Sequence, residues 1–323
     1  MDFGLIDTVG TLMMPPAAST YAADVDALFY FIIYISIFFF VMIVGAMLYF
    51  AVRYRRKAGS DEIPDGPTHN TFLETIWIVV PVIIVMIIFF WGFRGYMTMS
   101  VVPANAMEIK VTGQQWFWTF AYPGGQITTN EMVVEVGKPI KLLMSSTDVI
   151  HALFIPAFRL KRDVLPNRYS ITWFEATQIG DYHLFCAEYC GTSHAKMIGT
   201  VKVRTSTEFA EWLESLDAAG EGMSPAQYGE KLFTSRACIT CHRSDDIKGS
   251  GPNLAGIFGH EVNLADGTKI TADENYIRES ILDPMSKVVA GYQPVMPTFQ
   301  GILKEKEVDA LVAYVKSLGG QVE

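Results

Sequence analysis

Two apolar runs near the start of the chain, residues 28–52 and 75–93, contain no charged side chain. The hydrocarbon core of a bilayer, about 30 Å thick, takes about 20 apolar residues in a helix. Each run therefore reads as a membrane span, since a helix satisfies its backbone polar groups internally. A cleaved signal sequence fits the first run poorly. The run is too long, and Asp2, Asp7, Asp24 and Asp26 precede it where Lys or Arg would be expected. Arg53, Arg55, Arg56 and Lys57 follow the first span directly. The short loop between the spans is therefore predicted to be cytoplasmic, with both termini outside. Trp77, Trp91 and Tyr96 suit the membrane interface, and Pro81 predicts a kink that neighbouring helices tolerate.

The rest of the chain is ordinary soluble sequence. Over all 323 residues the charged fraction is 18%, below the level of about 25% usual for soluble proteins. That deficit belongs to the two spans. The net charge of −9 argues against nucleic acid as a partner, because phosphate neutralisation needs a basic face. Residues 98–204 carry short β-rich runs at 132–136, 140–144, 169–174 and 200–203, divided by Gly and Pro turns. An all-β sandwich or barrel is expected there. An acidic helix over 207–218 and a Gly-containing linker at 220–225 follow, with Gly220 and Gly222 as a hinge. Helical patterns return at 226–235, 274–282 and 304–318. The expected layout is thus a tail and two-helix transmembrane hairpin (1–97), a β domain (98–204), a helix and linker (205–223) and an all-α domain (224–323).

The all-α segment opens on Cys238-Ile-Thr-Cys241-His242, the attachment pattern for c-type haem. Two thiols add to the two vinyl groups of one porphyrin, and the adjacent imidazole reaches the iron. A zinc half-site would need two more ligands nearby, and no further Cys lies in this segment. A redox dithiol would need a βαβ context, which the pattern lacks. Pro252 follows in Gly251-Pro-Asn-Leu, and Met296 precedes Pro297 in a late loop. This arrangement resembles class I cytochrome c domains. The resemblance implies that the Pro252 carbonyl orients His242 and that Met296 is the distal iron ligand. Met285 and His260 compete with Met296. A Met/His pair raises the potential of the iron, as suits a carrier that feeds an oxidant.

The other two cysteines lie in Cys186-Ala-Glu188-Tyr-Cys190-Gly-Thr-Ser-His194-Ala-Lys-Met197. Thiolate, imidazole and thioether donors together favour copper. A mononuclear blue-copper site needs one Cys, whereas two thiolates can bridge two ions. His194 supplies one terminal ligand, and His151 is the best candidate for the other. A Cys186–Cys190 disulfide is possible outside the cytoplasm but leaves His194 and Met197 unexplained. His183 reads as structural, and His69 is given no role.

Together these segments resemble subunit II of haem–copper cytochrome c oxidases with a fused cytochrome c domain, the caa3 type, over almost the whole chain. The resemblance implies a cupredoxin fold for the β domain and a mixed-valence dinuclear centre, CuA. Cys186 and Cys190 would bridge both ions. His151 and Met197 would complete one, and His194 with the Glu188 carbonyl the other. The Glu188 side chain would reach a magnesium ion at the interface with subunit I. Gly113-Gln-Gln-Trp116-Phe117-Trp118 resembles the aromatic strand whose first Trp, here Trp116, receives electrons. The family usually has His at Gln114 and Tyr at Phe117. Glu74 matches a carboxylate at the mouth of a proton channel in subunit I, and its plainer role is an interfacial charge at a helix end. The implied function is electron inlet: an external donor, either a membrane complex or a small carrier, reduces haem c, and electrons pass through copper to haem a of subunit I. Oxygen reduction and proton pumping belong to the complex, with haem a3 and CuB in subunit I, and subunit III beside it. The implied location is a bacterial cytoplasmic membrane with both redox domains on the outer face. A quinol oxidase subunit would lack the copper ligands, a nitrous oxide reductase would need a further large domain, and a free-standing copper relay would not hold a subunit I.

Overall fold

The computed structural model describes residues 10–56, 66, 69–218, 220–244 and 249–319. Asp2, Asp7 and Lys57, used above in the topology argument, lie outside the described residues. Two compact units emerge, Met1–Val101 and Val102–Glu323.

In the first unit, α1 spans Ala22–Arg53 and α2 spans Thr71–Ser100. Both are long and apolar enough to cross a membrane. Each exceeds its uncharged run because the helix continues through polar flanks: Asp24 sits in the first turn of α1, where the helix dipole favours an anion. α2 begins at an Asn70 cap, whose side chain accepts from Leu73 N at 3.2 Å. Phe31 meets Trp91 between the two helices, with ring centroids 5.6 Å apart.

The second unit holds the β sandwich. Its strands are β1 (Met107–Gln114), β2 (Phe117–Ala121), β3 (Ile127–Thr129), β4 (Glu131–Glu135), β5 (Pro139–Ser146), β6 (His151–Ile155), β7 (Leu160–Val164), β8 (Ser170–Glu175), β9 (Gly180–Cys186) and β10 (Ile198–Arg204). One sheet runs β3-β2-β1-β5-β8 and the other β4-β10-β9-β6-β7. β1 and β5 are parallel, as are β4 and β10, while the other pairs are antiparallel. The burial of β5 alternates strand-fashion, and Ile140, Leu142 and Met144 are fully buried. With Ile109, Trp118, Phe120, Leu153 and Leu184 they fill the space between the sheets. This is the cupredoxin-like region expected, although only four of its ten strands match runs marked in the sequence.

Helix α3 (Ser206–Asp217) starts on a capping box formed by Thr205 and Glu208. It lays Phe209 and Trp212 against Tyr122 of the sandwich. The Tyr122 hydroxyl donates to the Val133 carbonyl at 3.0 Å, tying the two sheets together at that corner. The haem segment follows: α4 (Pro225–Ser235), a short β11–β12 hairpin (Glu261–Asn263, Lys269–Thr271), α5 (Glu274–Leu282) and α6 (Glu305–Ser317). α4 and α6 cross at Gly229. A Cβ there would stand 1.9 Å from the Ala310 carbonyl oxygen, so only glycine permits the crossing. The apolar face of α6 (Val308, Leu311, Val312, Val315) packs with Leu232, Phe233, Ile277 and Ile281. Phe117 of β2 belongs to this same core, so the sandwich and the haem segment share side chains.

Candidate functional site

The strand pairing assembles the first site. Leu153 of β6 lies opposite Cys186 of β9, and Ala187 N donates to the Ala152 carbonyl at 2.9 Å. His151, at the head of β6, therefore arrives beside Cys186, although 35 residues separate them. The chain after β9 turns back through a short 3-10 turn, His194–Lys196, and rejoins the sheet as β10 at Ile198. Cys186 N donates to the Met197 carbonyl at 3.2 Å, pinning both ends of this loop.

The donors converge. The Sγ atoms of Cys186 and Cys190 are 3.8 Å apart. His151 Nδ1 is 3.8 Å from Cys186 Sγ, and the Glu188 carbonyl is 3.2 Å from it. His194 Nδ1 and Met197 Sδ lie 3.5 and 3.7 Å from Cys190 Sγ. His151, Cys186, Cys190 and Met197 are buried. His151, Cys186 and Cys190 are the group of three among the described residues whose donor atoms all lie within 4.8 Å of one another. The Glu188 side chain itself is exposed.

The two thiols of this cluster are shifted in opposite directions. Burial raises the Cys186 thiol, but His151 and the main chain around Ala152 and Glu188 outweigh it and draw the thiol down. Burial, together with the charge on Cys186, pushes Cys190 up. A thiolate at Cys186 thus opposes a second one at Cys190. Burial opposes protonation of His151, yet the Asp148 and Cys186 contacts lift it to about 9. Asp148 Oδ1 lies 2.8 Å from His151 Nε2. A carboxylate accepts, so Nε2 carries a proton, and Nδ1, which faces the sulfurs, is the nitrogen that would give up its proton to a metal. Gly113 makes room for this imidazole: a Cβ there would be 3.0 Å from its Cδ2. The donor set fits copper, being soft sulfur with two imidazoles.

Asp148 does more than hold the ring. Its Oδ2 accepts from Gln115 N at 2.7 Å, and Oδ1 accepts from Val149 N at 2.6 Å. Gln115 Nε2 and Trp116 Nε1 both donate to the Cys190 carbonyl, at 2.6 and 3.2 Å. The sequence reading singled out neither Asp148 nor Gln115. The one signal for Asp148 is its place three residues before the candidate ligand His151.

The second site is an apolar cavity lined by Cys238, Cys241, His242, Met296, Trp116 and Phe117, among others. His242 Nδ1 donates to the Pro252 carbonyl at 2.9 Å. A carbonyl only accepts, so the Nε2 lone pair is free for a metal. Burial holds the imidazole below its usual range, with the Pro252 carbonyl opposing. Burial pushes the Cys238 thiol up to about 12. A flat apolar group with two thioether links and an iron suits these walls. Met285 and His260 are exposed and are not part of this lining.

The remaining candidates lie apart. Glu74 is in the first turn of α2, where its Oε1 accepts from Asn70 N at 3.2 Å. His183 is an exposed β9 residue packed on Phe185, and His69 is exposed before α2. Trp116 and Phe117 are only 4% and 5% exposed. They separate the two sites, with Trp116 bonded to the copper loop and Phe117 stacked on Phe299 of the haem segment at 6.1 Å.

Family models match three stretches of the chain. Residues 7–94 match the transmembrane domain of cytochrome C oxidase subunit II, 126–204 its periplasmic domain, and 226–319 cytochrome c. A cytochrome c oxidase subunit 2 of Alkalihalophilus pseudofirmus is 32% identical over 291 residues, covering 86% of this chain and 83% of that protein. One from Cereibacter sphaeroides is 30% identical over 238 residues, covering 62% of this chain and 78% of that one. The periplasmic domain of subunit II of cytochrome oxidase from Bradyrhizobium japonicum is 38% identical, covers 36% of this chain and 97% of that one, and superposes with a TM-score of 0.35. The chain thus belongs to the cytochrome c oxidase subunit II family, as a haem–copper oxidase subunit with a C-terminal cytochrome c domain, a family that implies copper and haem c.

Proposed function

We propose that this chain is the electron-receiving subunit of a proton-pumping terminal oxidase and that it holds two copper ions and one covalent haem. The observation that carries the reading is the convergence of Cys186, Cys190, His151, His194, Met197 and the Glu188 carbonyl within one loop and the head of one strand. Bound in these sites, haem c and the copper pair supply one-electron carriage from an external donor toward haem a of subunit I. Cys186 and Cys190 would hold the ions together, with His151, Met197, His194 and the Glu188 carbonyl as the remaining ligands. Cys238 and Cys241 would anchor the porphyrin, and His242, oriented by the Pro252 carbonyl, and Met296 would hold its iron.

The strap Gln115–Trp116–Phe117 does the local work between the sites. It excludes water from both, and its indole links the haem wall to the Cys190 main chain. Trp116 is therefore the bridge inside this chain, buried rather than open to a soluble carrier. The external donor, a membrane complex or a small carrier, then docks on the haem segment. A fused module is present at an effective concentration of about millimolar. The exposed Glu188 side chain would meet magnesium at the subunit I interface, and Glu74 would serve a proton channel there. Subunit III and lipid complete the surroundings. Both termini and both redox domains lie on the outer face of a bacterial cytoplasmic membrane, with Arg53 at the end of α1 and the loop residue Arg55 inside.

Electron paramagnetic resonance of the purified complex tests this. One unpaired electron shared over two coppers, together with a low-spin haem c spectrum and co-purifying haem a, is the expected result. A mononuclear copper signal would remove the dinuclear reading. A protein that purifies without haem a or oxygen uptake would remove the oxidase role.

A further inference from the structure

Beyond Phe117, the sandwich and the haem segment meet at Arg236. This residue caps the C-terminal end of α4, two positions before Cys238. Its Nη1 donates to the Ile127 carbonyl of β3 at 2.6 Å, and its Nη2 to Glu307 Oε1 of α6 at 2.6 Å. The other Glu307 oxygen accepts from Lys304 N at 2.8 Å. The Arg236 and Glu307 side chains are 11% and 9% exposed, so the pair is shielded from the solvent that makes surface pairs weak. β3 is the edge of its sheet, and an edge strand presents unpaired carbonyls outward. Arg236 takes one of these carbonyls from the sandwich and a carboxylate from the haem segment with one planar fork. Lysine, a point charge, cannot reproduce that geometry. The acceptor on β3 is main chain, so the contact is encoded by Arg236 and Glu307 alone.

We propose that Arg236, held by Glu307, is a positioning residue that registers the haem segment on the copper sandwich. The same residue leads directly into the haem-attachment turn. Its grip on β3 therefore sets how Cys238–His242 faces the strap Gln115–Trp116–Phe117. This rests on the reading that haem c and copper exchange electrons within the chain.

The test uses the assembled oxidase with Arg236→Lys, which keeps a charge for Glu307 but loses the fork. Glu307→Gln serves as a second variant, keeping the shape and releasing the guanidinium. Amide hydrogen exchange at residues 125–129 should quicken by about tenfold, the scale of one charge-assisted hydrogen bond. Proteolysis within 218–223 should speed up, and haem c oxidation after mixing reduced enzyme with oxygen should slow. The haem and copper spectra should stay native. Native exchange, cleavage and oxidation rate in both variants would overturn the proposal. So would a disturbed haem spectrum with unchanged exchange at 125–129, because the pair would then only brace the haem segment. If the unmodified oxidase shows no haem c oxidation linked to copper, the underlying function fails instead.

Discussion

The copper loop and the haem cavity sit in one compact unit and solve opposite problems. The proposed copper donors already converge: His151, His194, Met197 and the Glu188 carbonyl cluster around the two cysteine sulfurs, which are 3.8 Å apart. A small ion needs donors brought together, and a β sheet does this through its register, since the β6–β9 pairing puts His151 at Cys186. At the haem site, space is held open between α4, α5, the Met296 loop and the strap. A large apolar group needs a hole that only it fills. The copper site is thus shaped by its ligands, and the haem site by the absence of side chains in its middle. The first should survive loss of its metal, and the second should depend on its cofactor as core.

The sharpest way to break this contrast is to remove each group. Cys238→Ala with Cys241→Ala should abolish covalent haem on a haem-stained gel and melt α4–α6, while the copper resonance persists. A haem segment that keeps its helical circular dichroism and cooperative melt without haem would erase the distinction. Cys186→Ser should abolish the shared-electron copper signal and leave the haem spectrum and the sandwich melting transition in place. Collapse of the sandwich would show that copper is also a core element.

Smaller changes sharpen the comparison. Phe117→Ala empties a stacked position shared by both cores, and large-to-small changes of this kind cost about 3–5 kcal/mol. Calorimetry should show the loss mainly in the haem transition. Asp148→Asn should weaken copper binding by about 10–100-fold, as for other outer partners of metal-bound histidine, measured by competition with a chelator of known affinity. An unchanged affinity would reduce Asp148 to a loop brace. Thr205→Ala at the α3 capping box should cost about 1 kcal/mol, read from thermal melting, without moving either spectrum.

The legibility of the sequence follows the same contrast. Cys238–His242 and the run from Cys186 to Met197 are local, so spacing alone carries their chemistry. The four helices after the sandwich were legible too, because their apolar faces and capping residues are local signals; α5 coincides with its expected range of 274–282. β1, β2, β3, β6, β7 and β9 were not marked. Their strand character depends on a partner sheet: β7 reads Leu-Lys-Arg-Asp-Val, with only its ends buried. Phe117 reads as sandwich core by position, yet it packs into the haem segment, a long-range choice that no spacing rule encodes. Asp148 was missed because an acidic residue in a loop has many ordinary uses, and its value appears only when Gln115 and His151 arrive on either side of it. The linker glycines read as a hinge, whereas the structure shows the two segments seated together through Phe117 and Arg236.

Strand β2 has a practical meaning for anyone who divides this molecule. It hydrogen-bonds to β1 and β3 in the sandwich while Phe117, at its start, stands in the other core. A cut at the linker would leave two raw faces, a copper fragment with wet aromatic rings and a haem fragment missing a wall. Such halves, mixed in one tube, would find each other again or precipitate. The fusion behaves as a single casting with two inlays, and the sensible unit of expression is the whole outer region from Val102 onward.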